Sequence, residues 1–307
     1  CNFYMPIFEE ALDAYGLPLE LRYLPIIESA LNPSAVSRAG ASGLWQFMIG
    51  TGKIYGLESN SLVDERRDPI KATWAAARYL KEMYDIYGDW NLVIAAYNCG
   101  PGTINKAIRR ANGETDYWKI YNYLPKETRG YVPAFIAANY VMTYYCDHNI
   151  CPMETNIPAS TDTVQVNKNL HFEQIADLCN VPLDQIKSLN PQYKKHMIPG
   201  DSKPYTLRLP IDAISTFIDK QDTIYAHRAD ELFRNRKTVA VKEITPSTRK
   251  TTAAVAGKGK LTYYTIKSGD TLSTIAGKYG VTIKDIQRWN GMSNTKIAAG
   301  KRLKIYK

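Results

Sequence analysis

Leu24-Pro25-Ile26-Ile27-Glu28-Ser29-Ala30 sets one carboxylate inside an apolar run. The surrounding segment, Pro18–Ala30, begins after Gly16 and stops at Asn32-Pro33. Leu19, Tyr23, Ile26 and Ile27 fall on one stripe, so the spacing predicts a helix with Glu28 on its last turn. A carboxyl group among apolar neighbours loses hydration, which penalises its charged form and raises its pKa. A general acid needs that environment to hold a proton near neutral pH. Taken alone, the same heptapeptide reads equally as a surface Glu on an amphipathic helix.

Outward from Glu28, residues 1–150 read as all helical. Ile70–Tyr87 is Ala-rich and ended by Gly88; Leu92–Tyr97 begins another helix, broken at Gly100-Pro101-Gly102; Arg129–Tyr145 is a long final one. From Thr161 the texture changes and the sequence repeats. Ile175-Ala176, Val181, Ile186 and Asn190 recur as Ile275-Ala276, Val281, Ile286 and Asn290, a constant offset of 100, with Val164 and Val166 matching Tyr264 and Ile266. Each copy reads strand, helix, helix, strand, closing on Tyr205–Leu209 or Arg302–Tyr306. Ile211–Lys260 lies between them, helical in pattern over Ala213–Asn235 and linker-like over Ser247–Lys260. The expected organisation is therefore α+β and multidomain. It has an all-α domain over residues 1–152, a divergent βααβ module over 161–210, a partly helical linker over 211–260 and a second βααβ module over 261–307.

Composition narrows the function classes. Hydrophobic residues make up 45% of the 307 and charged residues 22%, a globular balance. The net charge of +9 belongs to the C-terminal third, where residues 262–307 hold nine Lys/Arg against two Asp/Glu. Such a tail suits a cell-wall polymer or an anionic surface, and with no nucleic-acid-binding motif beside it, nucleic acid is not the expected partner. No apolar run approaches the ~20 residues of a membrane span. The five cysteines show no metal-ligand spacing, and neither a metal nor a cofactor is implied. Cys146 and Cys151 are close enough for a local disulfide. Because the first residues read as the interior of a helix, the expectation is a longer protein with a leader and some helix upstream. In the weaker alternative, Cys1 is the lipid-bearing first residue of a lipoprotein, and membrane attachment by leader or lipid stays open.

Three further blocks change the odds on Glu28. They are Ser37-Arg38-Ala39-Gly40-Ala41-Ser42-Gly43-Leu44-Trp45-Gln46-Phe47-Met48, then Ala95-Ala96-Tyr97-Asn98-Cys99-Gly100-Pro101-Gly102, then Leu124-Pro125-Lys126-Glu127-Thr128-Arg129-Gly130-Tyr131-Val132. In this order and spacing they resemble the catalytic domain of the soluble-type lytic transglycosylases, relatives of goose-type lysozyme. With the repeated modules behind it, the arrangement is similar to the membrane-bound D type of those enzymes. The resemblance implies a lysozyme-like fold and Glu28 as the single catalytic acid/base. On that reading Glu28 cleaves the bond between N-acetylmuramic acid and N-acetylglucosamine of peptidoglycan strands and leaves 1,6-anhydro ends. It implies substrate contacts for Gln46, Tyr97 and Asn98, a Tyr131 that steadies Glu28, and Ser37 near the acetamido end of the cleft.

Cys99 replaces the family's usual Ala, and Trp45 stands where Met is common; core packing is the favoured reading of Trp45 and Phe47. Asp64, Glu65 and Asp68 lie in a charged, turn-like stretch and read as solvated, so no second carboxylate of the kind hydrolases use accompanies Glu28. Residues 264–306 resemble a LysM domain through Gly269-Asp270-Thr271-Leu272 and Trp289-Asn290. The resemblance implies N-acetylglucosamine binding between the loop Gly269–Leu272 and the loop Lys296–Ala299, around Ile297; by its place before the helix, Asp270 also reads as an N-cap. In the first copy Asn169-Leu170-His171-Phe172 replaces that turn. The resemblance implies an envelope protein of the periplasmic side. Competing expectations are a muramidase or chitinase on the same scaffold, and a non-catalytic glycan-binding protein.

Overall fold

The computed structural model describes residues 3–151, 157, 158, 160–233, 261–267, 270–290, 292, 297 and 300–306. The expectations for Cys1, Ser247–Lys260, Gly269, Lys296 and Ala299 concern residues outside these. The chain divides into two compact units, Cys1–Pro246 and Ser247–Lys307.

The first unit opens with helices. α1 (Tyr4–Ala14) buries Tyr4, Phe8, Ala11 and Leu12. The stretch expected as one helix to Ala30 is divided into a 3-10 turn at Leu19–Tyr23 and α2 (Leu24–Ser29). Pro25 is the reason, since it has no N–H to return to Leu21 and the ladder must restart. α3 (Ile49–Ile54) leads to α4 (Pro69–Tyr87), capped by Asp68, whose carboxylate accepts from the Ile70 and Lys71 amides at 2.9 and 3.0 Å.

α5 (Trp90–Cys99) is the central helix, and its run Leu92–Ala96 is wholly buried. An all-apolar run belongs inside rather than on an amphipathic surface. α6 (Pro101–Arg110), α7 (Tyr117–Ile120) and α8 (Lys126–Thr143) complete the helical part. Pro133 inside α8 leaves the Arg129 carbonyl without its helical donor, and the Tyr117 hydroxyl donates there instead at 2.9 Å. Trp45 and Phe47 are core residues as expected. The Trp45 indole donates to Thr73 Oγ1 at 2.9 Å and meets Phe8 edge-on.

The rest of this unit is the first repeat. β1 (Thr161–Val166) pairs antiparallel with β4 (Tyr205–Pro210), Val164 opposite Leu207, around α9 (Phe172–Cys179) and α10 (Leu183–Leu189). A second antiparallel pair is formed by β2 (Asn169–His171) and β3 (Met197–Pro199), on either side of the two helices in the chain. α11 (Ile211–Asp219) and α12 (Gln221–Ala226) fall in the stretch read as linker, yet they supply Ala213, Phe217 and Ile224 to this core; α13 (Ala229–Leu232) follows.

The two parts of the unit meet at a continuous seam. Val63 and Tyr193 form an antiparallel bridge, the Asp64 amide donates to the Gln192 carbonyl at 2.9 Å, and the Lys194 amide donates to Leu62 at 2.8 Å. Here the expectation of solvated acids is corrected. Asp64 and Glu65 are 1% and 5% exposed. Asp64 is held bidentate by Arg66 at 2.9 and 2.8 Å with Lys194 at 3.5 Å, Glu65 pairs with Lys71, and Asp68 is the α4 cap. Burial opposes ionisation of Asp64, but Arg66 and Lys194 outweigh it and hold the carboxyl below its ordinary value.

The second unit pairs β5 (Leu261–Thr265) with β6 (Arg302–Tyr306), antiparallel, around α14 (Leu272–Tyr279) and α15 (Ile283–Asn290). Ile266, Ile275, Ile286, Leu303 and Ile305 form its core. Among the described residues no helix is long and apolar enough to cross a membrane, and Cys99, Cys146, Cys151 and Cys179 carry free thiols.

Candidate active site

Glu28 stands one residue before the end of α2, half-buried. The helix stops abruptly because Ala30 and Leu31 are both left-handed, at φ 51° and 59°. Non-glycine residues are rarely found there, and such backbone strain gathers at functional sites. The Ser29 hydroxyl is shared between the carbonyls of Pro25 (3.0 Å) and Leu44 (2.9 Å), which pins this helix end to the loop that carries Gln46.

α8 brings Tyr131 across from the other side, and its hydroxyl donates to Glu28 Oε1. Burial pushes the Glu28 carboxyl up to about 7. The Tyr131 bond pulls the other way, and the charge of Glu127 at the start of α8 adds slightly to the rise. Tyr131 and Tyr97 are both raised, first by burial and then by the charge of Glu28, so both stay protonated donors.

Tyr97 donates to the Trp45 carbonyl at 2.7 Å and lies in a row of rings with Tyr79 and Tyr55. Asn98 Oδ1 accepts from Thr128 at 2.8 Å, which commits that oxygen and leaves the amide N–H groups as its donors. Gln46 is left-handed (φ 47°), and its Nε2 donates to Gly43 at 2.7 Å and Ala35 at 3.3 Å. Among the described residues nothing donates to its Oε1, so a substrate hydroxyl or amide can. Gln46, Met48, Tyr79, Tyr97, Asn98 and Cys99 line one cleft of about 280 Å³. The Cys99 thiol is raised by burial and sits as a small apolar group, as Ala would.

Three ordered parts of this chain match known families. Residues 5–120 match the model of the transglycosylase SLT domain. Residues 160–226 match the LysM-like domain of lytic transglycosylase MltD, and residues 264–305 match the LysM domain. Over 94% of its length the chain is 33% identical to the membrane-bound lytic murein transglycosylase D of Escherichia coli K12. The chain is thus similar to lytic transglycosylases, with an SLT-domain match followed by two LysM-type matches. It spans 60% of the length of that relative. The soluble lytic murein transglycosylase of Escherichia coli K12 is 33% identical over 38% of this chain and 19% of its own. The crystal structure of the 70 kDa soluble lytic transglycosylase of Escherichia coli covers 47% of this chain and 24% of that one at 29% identity, with a TM-score of 0.41.

Tyr131 holds Glu28, Tyr97 feels the charge of Glu28, and Tyr97, Asn98 and Gln46 share one cleft whose lining includes neither Glu28 nor Tyr131. Ser37 stands apart: it is exposed, and its Oγ accepts from the Ala41 amide at 3.0 Å to close a turn, sharing neither a hydrogen bond nor a cavity wall with the others. Ser29 and Thr128 were missed as positioning groups, although each sits inside a quoted block, next to Glu28 and three residues before Tyr131.

In the LysM domain Asp270 is not the helix cap. Thr271 caps α14 and forms a capping box with Thr274, while Asp270 accepts from the Lys267 amide and the Tyr264 hydroxyl, each at 2.8 Å. The acid is two residues ahead of the helix and reaches back to tie its own loop to β5. Leu272 is buried in the core, so its side chain shapes the loop from beneath. Ile297 lines a cavity of about 400 Å³ with Met292, Asn290 and Arg302. Gly269 lies outside the described residues.

In the LysM-like domain the corresponding loops close on each other. Asn169–His171 pairs with Met197–Pro199, and the Asn169 amide donates to Asp201 at 3.0 Å. A Cβ on Gly200 would lie 2.3 Å from the Lys168 carbonyl oxygen, so the backbones touch there.

Proposed function

We propose that this chain is a peptidoglycan lytic transglycosylase with Glu28 as its one acid/base. The observation that carries the reading is a half-buried carboxyl, raised to about 7, with one oxygen held by Tyr131. Near neutral pH both protonation states are populated, which a group that gives and then regains a proton requires.

In the forward step Glu28 gives its proton to the glycosidic oxygen between N-acetylmuramic acid and N-acetylglucosamine, and the C1–O4 bond breaks. The carboxylate then takes the proton of the muramoyl C6 hydroxyl as O6 bonds to C1. The proton count on Glu28 is restored, the products are a 1,6-anhydro end and a free 4-hydroxyl, and no water is consumed. Tyr131 steadies the carboxylate between the two steps. Gln46 and Asn98 offer an acceptor and a donor to sugar hydroxyl and acetamido groups, and Tyr97 walls the cleft beside them. The LysM domain holds the glycan through N-acetylglucosamine. The reading places the protein in the bacterial envelope on the periplasmic side, with peptidoglycan strands as its partner.

The test is mass spectrometry of muropeptides released from purified sacculi by the protein and by Glu28→Gln. Anhydro products from the first and a loss of roughly 100-fold or more in the second are expected. Reducing ends would move the chemistry to hydrolysis. Sacculus binding without release by either would leave a wall-binding scaffold.

A further inference from the structure

The LysM-like domain has closed the groove between its own two loops and has instead joined the SLT domain. Its segment Gln192–Lys194 adds to the loop Leu62–Asp64 by a β-bridge and two backbone hydrogen bonds, and Leu62 and Val63 are buried in its core. From that domain Lys194 enters the buried charge cluster described above, where it donates to the Asn60 carbonyl at 2.8 Å while facing Asp64. Asp64 holds the Arg66 guanidinium on two sides. The remaining nitrogen, Nη1, donates to the carbonyls of Gly40 and Phe47, each at 2.8 Å.

Those two carbonyls bracket the turn that carries Gln46. The turn also rests on Arg66 directly: a Cβ on Gly43 would lie 1.7 Å from the Arg66 carbonyl oxygen, and Arg67 reaches Ser42 at 3.1 Å. A path of consecutive polar contacts therefore runs Lys194, Asp64, Arg66, then the backbone on either side of Gln46. Asp64 and Arg66 are buried, so each must keep its partner or bear an uncompensated buried charge.

We propose that the LysM-like domain is a brace for the substrate cleft, and that Lys194 is a positioning residue acting through Asp64 and Arg66 on Gln46. The inference rests on Gln46 being a substrate contact, as read above. Its physical half, the ordering of the 40–47 turn, stands apart from that reading.

The experiment uses the full chain as Lys194→Met, which keeps the aliphatic stem and removes the charge, and as Lys194→Arg. Hydrogen exchange by mass spectrometry follows peptides covering residues 40–47 and 92–96. Anhydro-product release from soluble glycan strands gives KM and kcat. In Lys194→Met the 40–47 amides should exchange roughly tenfold faster with those of α5 unchanged. KM should rise roughly tenfold against a smaller change in kcat and an unmoved alkaline limb of the pH profile. Lys194→Arg should restore both. Unchanged exchange and KM in Lys194→Met would overturn the proposal, as would faster exchange spread equally into α5, which marks general loosening. Absence of anhydro product from the unmodified protein would instead sink the functional reading, with the exchange arm still deciding the brace.

Discussion

The two repeats share one latch and differ in what surrounds it. In the first, Asn190 Nδ2 donates to Ile186 and Arg208 carbonyls at 2.9 and 2.8 Å, and its Oδ1 accepts from the Arg208 amide at 2.8 Å. In the second, Asn290 makes the same three bonds, to Ile286 and Lys304 at 2.8 and 2.9 Å and from the Lys304 amide at 2.7 Å. The asparagine ties the second helix to the last strand, so the βααβ frame persists while the loops diverge. One copy pairs its loops with each other and shares a core with the SLT domain. The other stands as a separate compact unit and keeps its loop tied locally through Asp270. The lesson is that repeated core residues specify a frame, and the use of that frame is decided by residues the repeat does not share.

The largest expected effect breaks this contrast at the seam. Arg66→Met leaves Asp64 buried beside Lys194 alone, and should cost the first unit about 3–5 kcal/mol with the second unit unaffected. Chemical denaturation monitored by probes in each unit would show one transition moving and the other still. Equal movement of both would mean that the units unfold together.

Glu28 supplies the opposite case of a half-buried charge with no cation paired to it among the described residues. Its folded pKa, about 7, lies above its unfolded value, so it favours the folded state below about pH 4.5, and that contribution is lost as pH rises through 7. Glu28→Gln should therefore melt higher than the unmodified protein at pH 8, by up to about 3 kcal/mol, and converge with it near pH 4. Parallel melting curves across that range would deny the raised pKa.

Smaller effects compare the repeats position by position. Asn190 is 1% exposed whereas Asn290 is half-buried, so Asn190→Ala should cost about 2–3 kcal/mol and Asn290→Ala nearer 1. Gly200 and Gly300 occupy matching places for different reasons. Gly200→Ala meets the Lys168 backbone and should cost about 1–3 kcal/mol. Gly300 has open space but φ +87°, so Gly300→Ala should cost about 1 kcal/mol of backbone strain. Equal penalties within each pair would erase the distinction drawn between the copies.

Much of this was legible because it is local. The apolar neighbours of Glu28 announce a raised carboxyl, and the 100-residue offset announces the modules. Gly16, Gly88 and the Pro-Gly breaks mark helix ends. What stayed hidden depends on partners distant in sequence. Asp64 and Glu65 look solvated until Arg66 turns inward and Lys194 arrives from another domain. Thr128 looks like helix surface until it meets Asn98. Three-residue strands such as Asn169–His171 carry too little alternation to be seen, and α11 joins a core that its composition does not mark.

The central claim is the route of the proton and the absence of water. The most direct test is to digest sacculi with the protein in water enriched in oxygen-18 and weigh the released muropeptides. The account predicts anhydro ends carrying no heavy oxygen. Ends heavier by one oxygen-18, bearing a free reducing group, would show that water attacks C1 and would contradict it.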